Sequence, residues 1–388
     1  MGSILNAKRF AEQLQEAIDK ARANQYDLIL LDIQLPDMTG FDVANTLRDE
    51  DLVMGTPMVA LTANVIKKRE EYLQNVTENL FSRQFSGSSP PANTGVFLGS
   101  SSIDYSLTRP IEQIIDGLDP GKLPGNRVGG GFYADRIMQR FGLSGPSLTY
   151  NTACTSSINA FMDAAAMLEC RVIDYALVMG LELSLPVIVE GFALMQLLSP
   201  DVLRPFGQKR NGMILGEAVS AVLLCRSDTR SSNWHYLGGE SCCEIHSVAG
   251  SDPGGKGIAQ VIRQSLSDAQ VSPSELTALK AHGTGGELMD LAEMRGMEMA
   301  FTDIPDYFSL KPYIGHTLGG CGLAELVLLM ECVDNGFIPA TPHAEPLDEQ
   351  FTSPPVRTNM DVTHGRFMLN YFGFGGNNTS CILEKTKP

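Results

Sequence analysis

Cys154, His282 and His316 are the residues of this 388-residue chain whose types and surroundings can do chemistry. Cys154 stands in "PSLTYNTACTSSINAFMDAAAMLE", an apolar run that turns, at small and hydroxylated residues, into a helical pattern. Unpaired backbone N–H groups and the helix dipole at such a junction lower a thiol's pKa, so a reactive thiolate is expected there. His282 stands in "LKAHGTGGELMDLAE", after a strand-like run and before a Gly-rich turn followed by Asp290 and Glu293. His316 stands in "SLKPYIGHTLGGCGLAELVLLMEC", a second strand–turn–helix junction, with Lys311 five residues before it. One histidine in such a turn is commonly a satisfied core residue. Two of them with a thiol suit acyl transfer followed by carbanion chemistry. The thiol takes an acyl group from a thioester, and neutral imidazoles donate hydrogen bonds to an enolate oxygen. Glycines, as in "LNYFGFGGNNTSCILEK", let backbone N–H groups approach an oxyanion.

The bulk composition narrows the partners. Hydrophobic residues make up 43% and charged residues 19%, a balance that suits packed globular structure. The net charge of −16 argues against nucleic acid or an anionic membrane as the main partner, though a local basic patch can still dock an acidic protein. Eight cysteines without regular spacing read as reduced thiols rather than a disulfide framework or a zinc site, and no metal is expected. No apolar run reaches membrane-spanning length and no signal peptide opens the chain, so the expected location is cytoplasmic. There is no Walker loop and no G-x-G-x-x-G after a strand, hence no expected cofactor.

The elements that must position these residues fall on two sides of a seam. Residues 4–25 have helical periodicity, "YDLILLDI" (26–33) reads as a buried parallel strand, and "TPMVALTA" as a second, with helices at "FDVANTLRDE" and "NVIKKREEYLQN". Asp32 at a strand end, "LPDMTG" and "LTA" (61–63) resemble a response-regulator receiver of the flavodoxin-like fold. By that resemblance Asp32 is a phosphoacceptor and Thr62 the switch hydroxyl. The usual acidic pair for magnesium and the late lysine are not found, so a partial receiver over 1–76 is expected. Residues 77–93, rich in Ser, Pro, Asn and Gly, read as a linker.

From about residue 94 onward, "TACTSS", "HGTGG…D..E", "LKPYIGHT.GG.G" and "YFGFGGNN" occur in one order. Together with "RPFGQKRNGMILGEA", they are similar to the β-ketoacyl-acyl-carrier-protein synthases, whose α/β architecture is the thiolase-like double αβαβα layered fold. The resemblance implies Cys154 as acyl-accepting nucleophile and His282 and His316 as the pair that assists malonyl decarboxylation. It also implies Lys311 and Glu325 as support for that pair, alongside Asp290 and Glu293. In the Gly373–Phe374 loop, Phe374 is the gating aromatic and its N–H joins that of Cys154 in an oxyanion hole. The implied reaction is a decarboxylative Claisen condensation of an acyl thioester with malonyl carrier protein, in fatty-acid or polyketide synthesis. Aryl-capped polyenes are compatible substrates that the sequence does not specify. The implied partners are acyl carrier protein and a second synthase-like subunit, identical or different, paired through "PSLTYN". The nucleophile's half would span 94–230 and the histidines' half 231–388.

Departures accompany the likeness. Gly286, Gly207 and Asn211 replace a threonine and acidic residues of the family pattern, altering hydrogen bonds around the site rather than the reacting groups. The opening strand of the family has no counterpart before residue 94. That strand is expected inside its sheet, where its loss would expose core surface and backbone. Three other readings follow from these features: a non-catalytic chain-length-factor subunit, a phosphorylation-gated signalling protein using Asp32, and a chimeric fusion of impaired activity. A chain-length factor typically lacks the nucleophile that Cys154 supplies.

Overall fold

A computed structural model of the chain describes residues 29–32, 58–61, 68–85, 90–102 and 131–387. The expected helices at 4–25 and 41–50, the "LPDMTG" turn and Thr62 lie outside the described residues. The two apolar runs of the receiver-like stretch form β1 (Ile29–Asp32) and β2 (Met58–Leu61), a parallel pair in which Asp32 stands opposite Leu61. β1 pairs with β2 alone among the described strands, so the described part of "YDLILLDI", Ile29–Asp32, does not enter the sheet that carries the nucleophile.

The first large sheet contains β3 (Thr94–Gly99), β4 (Ser147–Tyr150), β5 (Tyr175–Glu182) and β6 (Ala218–Cys225), in the order β4-β3-β5-β6. β3 runs parallel to β4 and β5, and β6 closes the set antiparallel to β5 along eight residue pairs, Tyr175↔Cys225 to Glu182↔Ala218. "GVFLG" and "ALVMGL" are continuous apolar runs because both sheet faces are covered.

The second sheet repeats the plan. β7 (Trp234–Cys243), β8 (Leu276–Lys280), β9 (Tyr307–Phe308), β12 (Gly365–Gly373) and β13 (Asn377–Lys385) adopt the order β7-β13-β12-β8-β9. Between them in sequence, β10 (Phe337–Ile338) and β11 (Met360–Asp361) make a small separate antiparallel pair. The parallel trio β9-β8-β12 with antiparallel β13 matches β4-β3-β5 with antiparallel β6. Beyond β13 lies β7, bonded to it from Asn377↔Cys243 to Lys385↔Trp234. Beyond β6 no described strand makes a ladder, although β2 comes near it. By this match, the strand that has no counterpart among the described residues of the first half belongs at an edge, as β7 does, and not inside the sheet as expected. An absent edge strand leaves one row of backbone groups unpaired but does not split the core.

Helices α1 (Lys68–Phe85) and α2 (Gly131–Phe141) cover the outer face of the first sheet, burying Tyr72, Leu73, Phe81 and Ile137 against Val96, Leu98, Leu177 and Met179. Residues 77–85, expected in a linker, are thus the second half of α1. Their buried face overrides the polar composition. Helix α3 (Ser156–Glu169) follows β4, and α4 (Pro186–Leu194) follows β5. In the second half come α5 (Lys256–Asp268), α6 (Glu287–Ala300), the single turn α7 (Lys311–Ile314) and α8 (Cys321–Asp334).

α3 and α8 lie back to back between the sheets, where Ile158, Phe161, Leu323, Leu326 and Leu329 form the central core. Gly322 permits that approach, because a Cβ there would stand 2.6 Å from the Ile158 nitrogen. α5 and α6 cover the outer face of the second sheet with Ile258, Val261, Ile262 and Met297. The layers run helix, sheet, helix, sheet, helix. No described helix is long and apolar enough to cross a membrane.

Candidate active site

β4 delivers the chain to Thr152, after which Ala153 takes a left-handed φ of 52° and Cys154 sits in a 3₁₀ turn, Ala153–Thr155, leading into α3. A non-glycine residue in that region holds strain that its surroundings must fix. The fixing bonds are local. Thr155 Oγ1 donates to Thr152 O, Asn159 Nδ2 donates to the hydroxyls of Thr152 and Thr155, and Thr379 Oγ1 of β13 donates to Asn159 Oδ1. A Cβ on Gly373 would lie 3.1 Å from the Cys154 nitrogen, so a larger residue there would crowd the N–H expected to face an oxyanion.

The expected thiolate is not what the surroundings favour. Burial pushes the Cys154 thiol up to about 12, against smaller lowering effects from Lys311 and from the Phe374 backbone N–H. The helix terminus does not offset the loss of water. Activation falls instead to an adjacent base, and His316 Nε2 lies 3.1 Å from Cys154 Sγ.

The loop from Ile214 to Gly216 positions His316: its N–H donates to Ile214 O and its C=O accepts from Gly216 N. His282 follows β8, its ring centroid 5.3 Å from that of His316 and nearly perpendicular to it. Both rings are 1% exposed. Burial, then the charge of Lys311, holds both imidazoles well below their ordinary pKa and thus neutral. Lys311 Nζ is 3.4 Å from His282 Nδ1. An ammonium can only donate, so Nδ1 accepts and His282 carries its hydrogen on Nε2. His316 Nδ1 has no hydrogen-bond partner, which leaves that ring able to hold its proton on either nitrogen.

The acidic residues divide into two kinds. Glu325 is wholly buried and accepts from Lys311 Nζ at 2.6 Å and from Lys280 Nζ at 2.5 Å. Glu293 and Asp290 bond to backbone instead. Glu293 accepts from the N–H groups of His282 and Gly283, and Asp290 from those of Phe206 and Gly285. They hold the Gly-rich turn. Burial raises Asp290 to about 6 and Glu293 to about 7.

Further participants were not singled out from the sequence. Glu182 Oε2, at the end of β5, accepts from Ser101 N and Gly319 N, tying the nucleophile's sheet to the turn after His316. Cys321 Sγ donates to Cys154 O at 3.1 Å. Phe192 of α4 stacks on Phe374, centroids 5.6 Å apart and planes 10° from parallel. Lys280 is a cation inside the apolar run "LTALKAH", the one local sign of its role.

Cys154, His282 and His316 offer ligand atoms within 4.8 Å of one another. Metal-bound imidazoles usually present their outer N–H to a carboxylate or carbonyl. His282 instead has an ammonium there, so the set fits thiol and imidazole chemistry better than metal binding.

Comparison with known proteins follows this geometry. The N-terminal domain model of the beta-ketoacyl synthases matches residues 69–230, their C-terminal domain model residues 238–345, and the response regulator receiver domain model residues 4–86. The two overlapping matches share most of α1, which packs in the synthase layers. A chloroplastic 3-oxoacyl-[acyl-carrier-protein] synthase I of Hordeum vulgare is 29% identical, covering 64% of this chain and 57% of that protein. A highly reducing polyketide synthase of Emericella nidulans is 28% identical over 87% of this chain but only 15% of its own length. The chain therefore spans less than two thirds of these curated relatives. Among solved structures, a ketosynthase of Xenorhabdus doucetiae in complex with its chain length factor superposes with a TM-score of 0.73 at 25% identity, covering 84% of this chain and 85% of that one. A beta-ketoacyl synthase from Burkholderia phymatum has a TM-score of 0.76 at 22% identity, covering 82% and 83% respectively.

Proposed function

Because the chain belongs to the β-ketoacyl synthase family, with a receiver-like stretch at its N-terminal end, we propose that it is a 3-oxoacyl-[acyl-carrier-protein] synthase. The observation that carries this reading is the 3.1 Å approach of His316 Nε2 to Cys154 Sγ, with neutral His282 alongside. In the first half-reaction Cys154 Sγ attacks the thioester carbonyl of an acyl carrier protein. The thiol proton passes to His316 Nε2 and leaves with the departing carrier thiol. In the second, the carboxyl C–C bond of malonyl carrier protein breaks. Carbon dioxide departs, and the electron pair enters an enolate whose oxygen accepts from His282 Nε2–H and, once its proton is on that nitrogen, from His316. The enolate carbon then attacks the acyl carbonyl held on Cys154. The N–H groups of Cys154 and Phe374 receive the oxyanion, and its collapse expels the Cys154 sulfur. The product is a 3-oxoacyl carrier protein two carbons longer.

Acyl carrier protein and a second ketosynthase-like subunit are the proposed partners. The half-buried strand β4, at the edge of its sheet, is the surface proposed for pairing subunits. Relatives solved as ketosynthase with chain length factor, or with acyl carrier protein, support the choice of partners. We propose that the synthase part begins with α1 and that the receiver-like stretch precedes it. The presence of Cys154 with both histidines disfavours the non-catalytic subunit. Incubation with acyl carrier protein and intact-mass analysis tests the reading: an acyl adduct on Cys154, lost in Cys154→Ala, is expected. No adduct would leave the chain-length-factor reading in its place.

A further inference from the structure

Lys280 ends β8 two residues before His282, and its side chain is wholly buried. Its Nζ donates to Glu325 Oε2 at 2.5 Å and to Asn370 O at 2.8 Å, and lies 3.6 Å from the ring centroid of Tyr371. Three hydrogens meet two oxygens and a π face, the arrangement of an ammonium. A free amine would aim its lone pair at one of these electron-rich groups. Lys311 occupies the other oxygen of Glu325. Two ammonium groups therefore share one carboxylate, while Glu293 and Asp290 are committed to backbone N–H groups.

Lys280 and Lys311 thus set two cations against the one carboxylate they both touch, away from water. Burial lowers the pKa of Lys280, the charge of Glu325 opposes that, and Lys311 adds to the lowering. A buried surplus charge is costly, and an apolar residue of similar size packed on Tyr371 would be no less stable. Stability does not account for this lysine, whereas an anion formed at His282 and His316, which feel its charge, would.

We propose that Lys280 is a positioning residue for the decarboxylation step, a reading that rests on the condensing function above: it anchors Glu325 and so Lys311 behind His282, and its charge favours the enolate. The groups facing it are Glu325 and Cys321 of α8, Lys311 of α7, Tyr371 of β12 and Cys381 of β13. His282, His316 and Glu293 feel its charge across the site. Its removal therefore makes His282 easier to protonate.

The test uses the full chain carrying Lys280→Met, with Lys280→Gln as a second uncharged variant should the first fold poorly. Cys154 acylation and carbon dioxide release from malonyl carrier protein are measured separately. Acylation is expected to stay within about twofold, decarboxylation to fall about 10–100-fold, and its acidic limb to move up by about one pH unit. Lys280→Arg, which keeps the charge, is expected to recover part of the decarboxylation rate. Equal loss in both half-reactions, or unchanged decarboxylation with an unmoved acidic limb, overturns the proposal while leaving the condensing function standing. Wild-type protein that takes no acyl group on Cys154 overturns both.

Discussion

The two halves share a strand plan but differ in what they carry and in how they end. The second half contributes His282, His316, Lys280, Lys311 and the carboxylates of Glu325, Glu293 and Asp290, and its sheet is completed by β7. The first half contributes Cys154 and the buried Glu182, and its sheet ends at β6 among the described strands. The reacting groups Cys154, His282 and His316 lie in the turn before α3, after inner strand β8 and in the turn before α8, while Lys311, Glu325, Glu293 and Asp290 support them from α7, α8 and α6. None lies on an outer strand. No described strand pairs with the outer edge of β6, and the distances among thiol, imidazoles and lysines do not depend on that edge.

Substitutions and exchange measurements can break or sharpen this contrast. The largest expected effect is chemical: Cys154→Ala in the first half and His282→Ala in the second should each reduce condensation, the former by at least about 10³-fold and the latter by about 10²–10⁴-fold. A steady-state assay of 3-oxoacyl product checks this, and a near-wild-type rate in either variant would break the shared-site account. Next comes stability. Glu325→Gln leaves two buried lysines without a counterion and should cost about 3–5 kcal/mol in denaturant unfolding. Glu182→Gln, which keeps an oxygen for Ser101 N and Gly319 N, should cost about 1–3 kcal/mol. Equal costs would contradict the view that the second half holds the charged framework.

A subtler difference concerns the edges. Outward-facing amides of β6 should exchange with solvent faster than those of β13, which is bonded on both sides. Equal protection, read by hydrogen exchange, would mean that another segment completes the first sheet. The smallest expected effect is in the thiol's titration. With Cys154 pushed up to about 12 by burial, its alkylation rate should keep rising from about pH 7 to 10. A plateau near neutrality would instead indicate the thiolate that the helix terminus alone suggests.

Much of the arrangement was readable in the sequence because each reacting residue sits in its own junction before a helix, Gly-flanked for the two histidines and made of small and hydroxylated residues for Cys154. Cys154, His282, His316, Lys311 and Glu325 are brought together as their motifs suggested. What escaped has a common cause: long-range burial. A turn before a helix announces a lowered thiol pKa, but not the core that raises it. Lys280 and Glu182 look like isolated charges in apolar strands, and the partners that give them meaning lie 45 and 137 residues away. The polar text of 77–85 conceals a helix because Phe81 and its neighbours are apolar only on the face that meets β5 and β6. The family's opening strand reads as interior from sequence alone because strand order is a property of the sheet. The second half, with β7 outside β13, supplies that order.

The most direct measurement is the stoichiometry of a single turnover. Protein acylated on Cys154 is mixed with malonyl carrier protein, and carbon dioxide, free Cys154 and 3-oxoacyl carrier protein are quantified together. Decarboxylative condensation at this site predicts equal amounts of all three. Carbon dioxide released without elongation, or an acyl group that remains on Cys154, would contradict it.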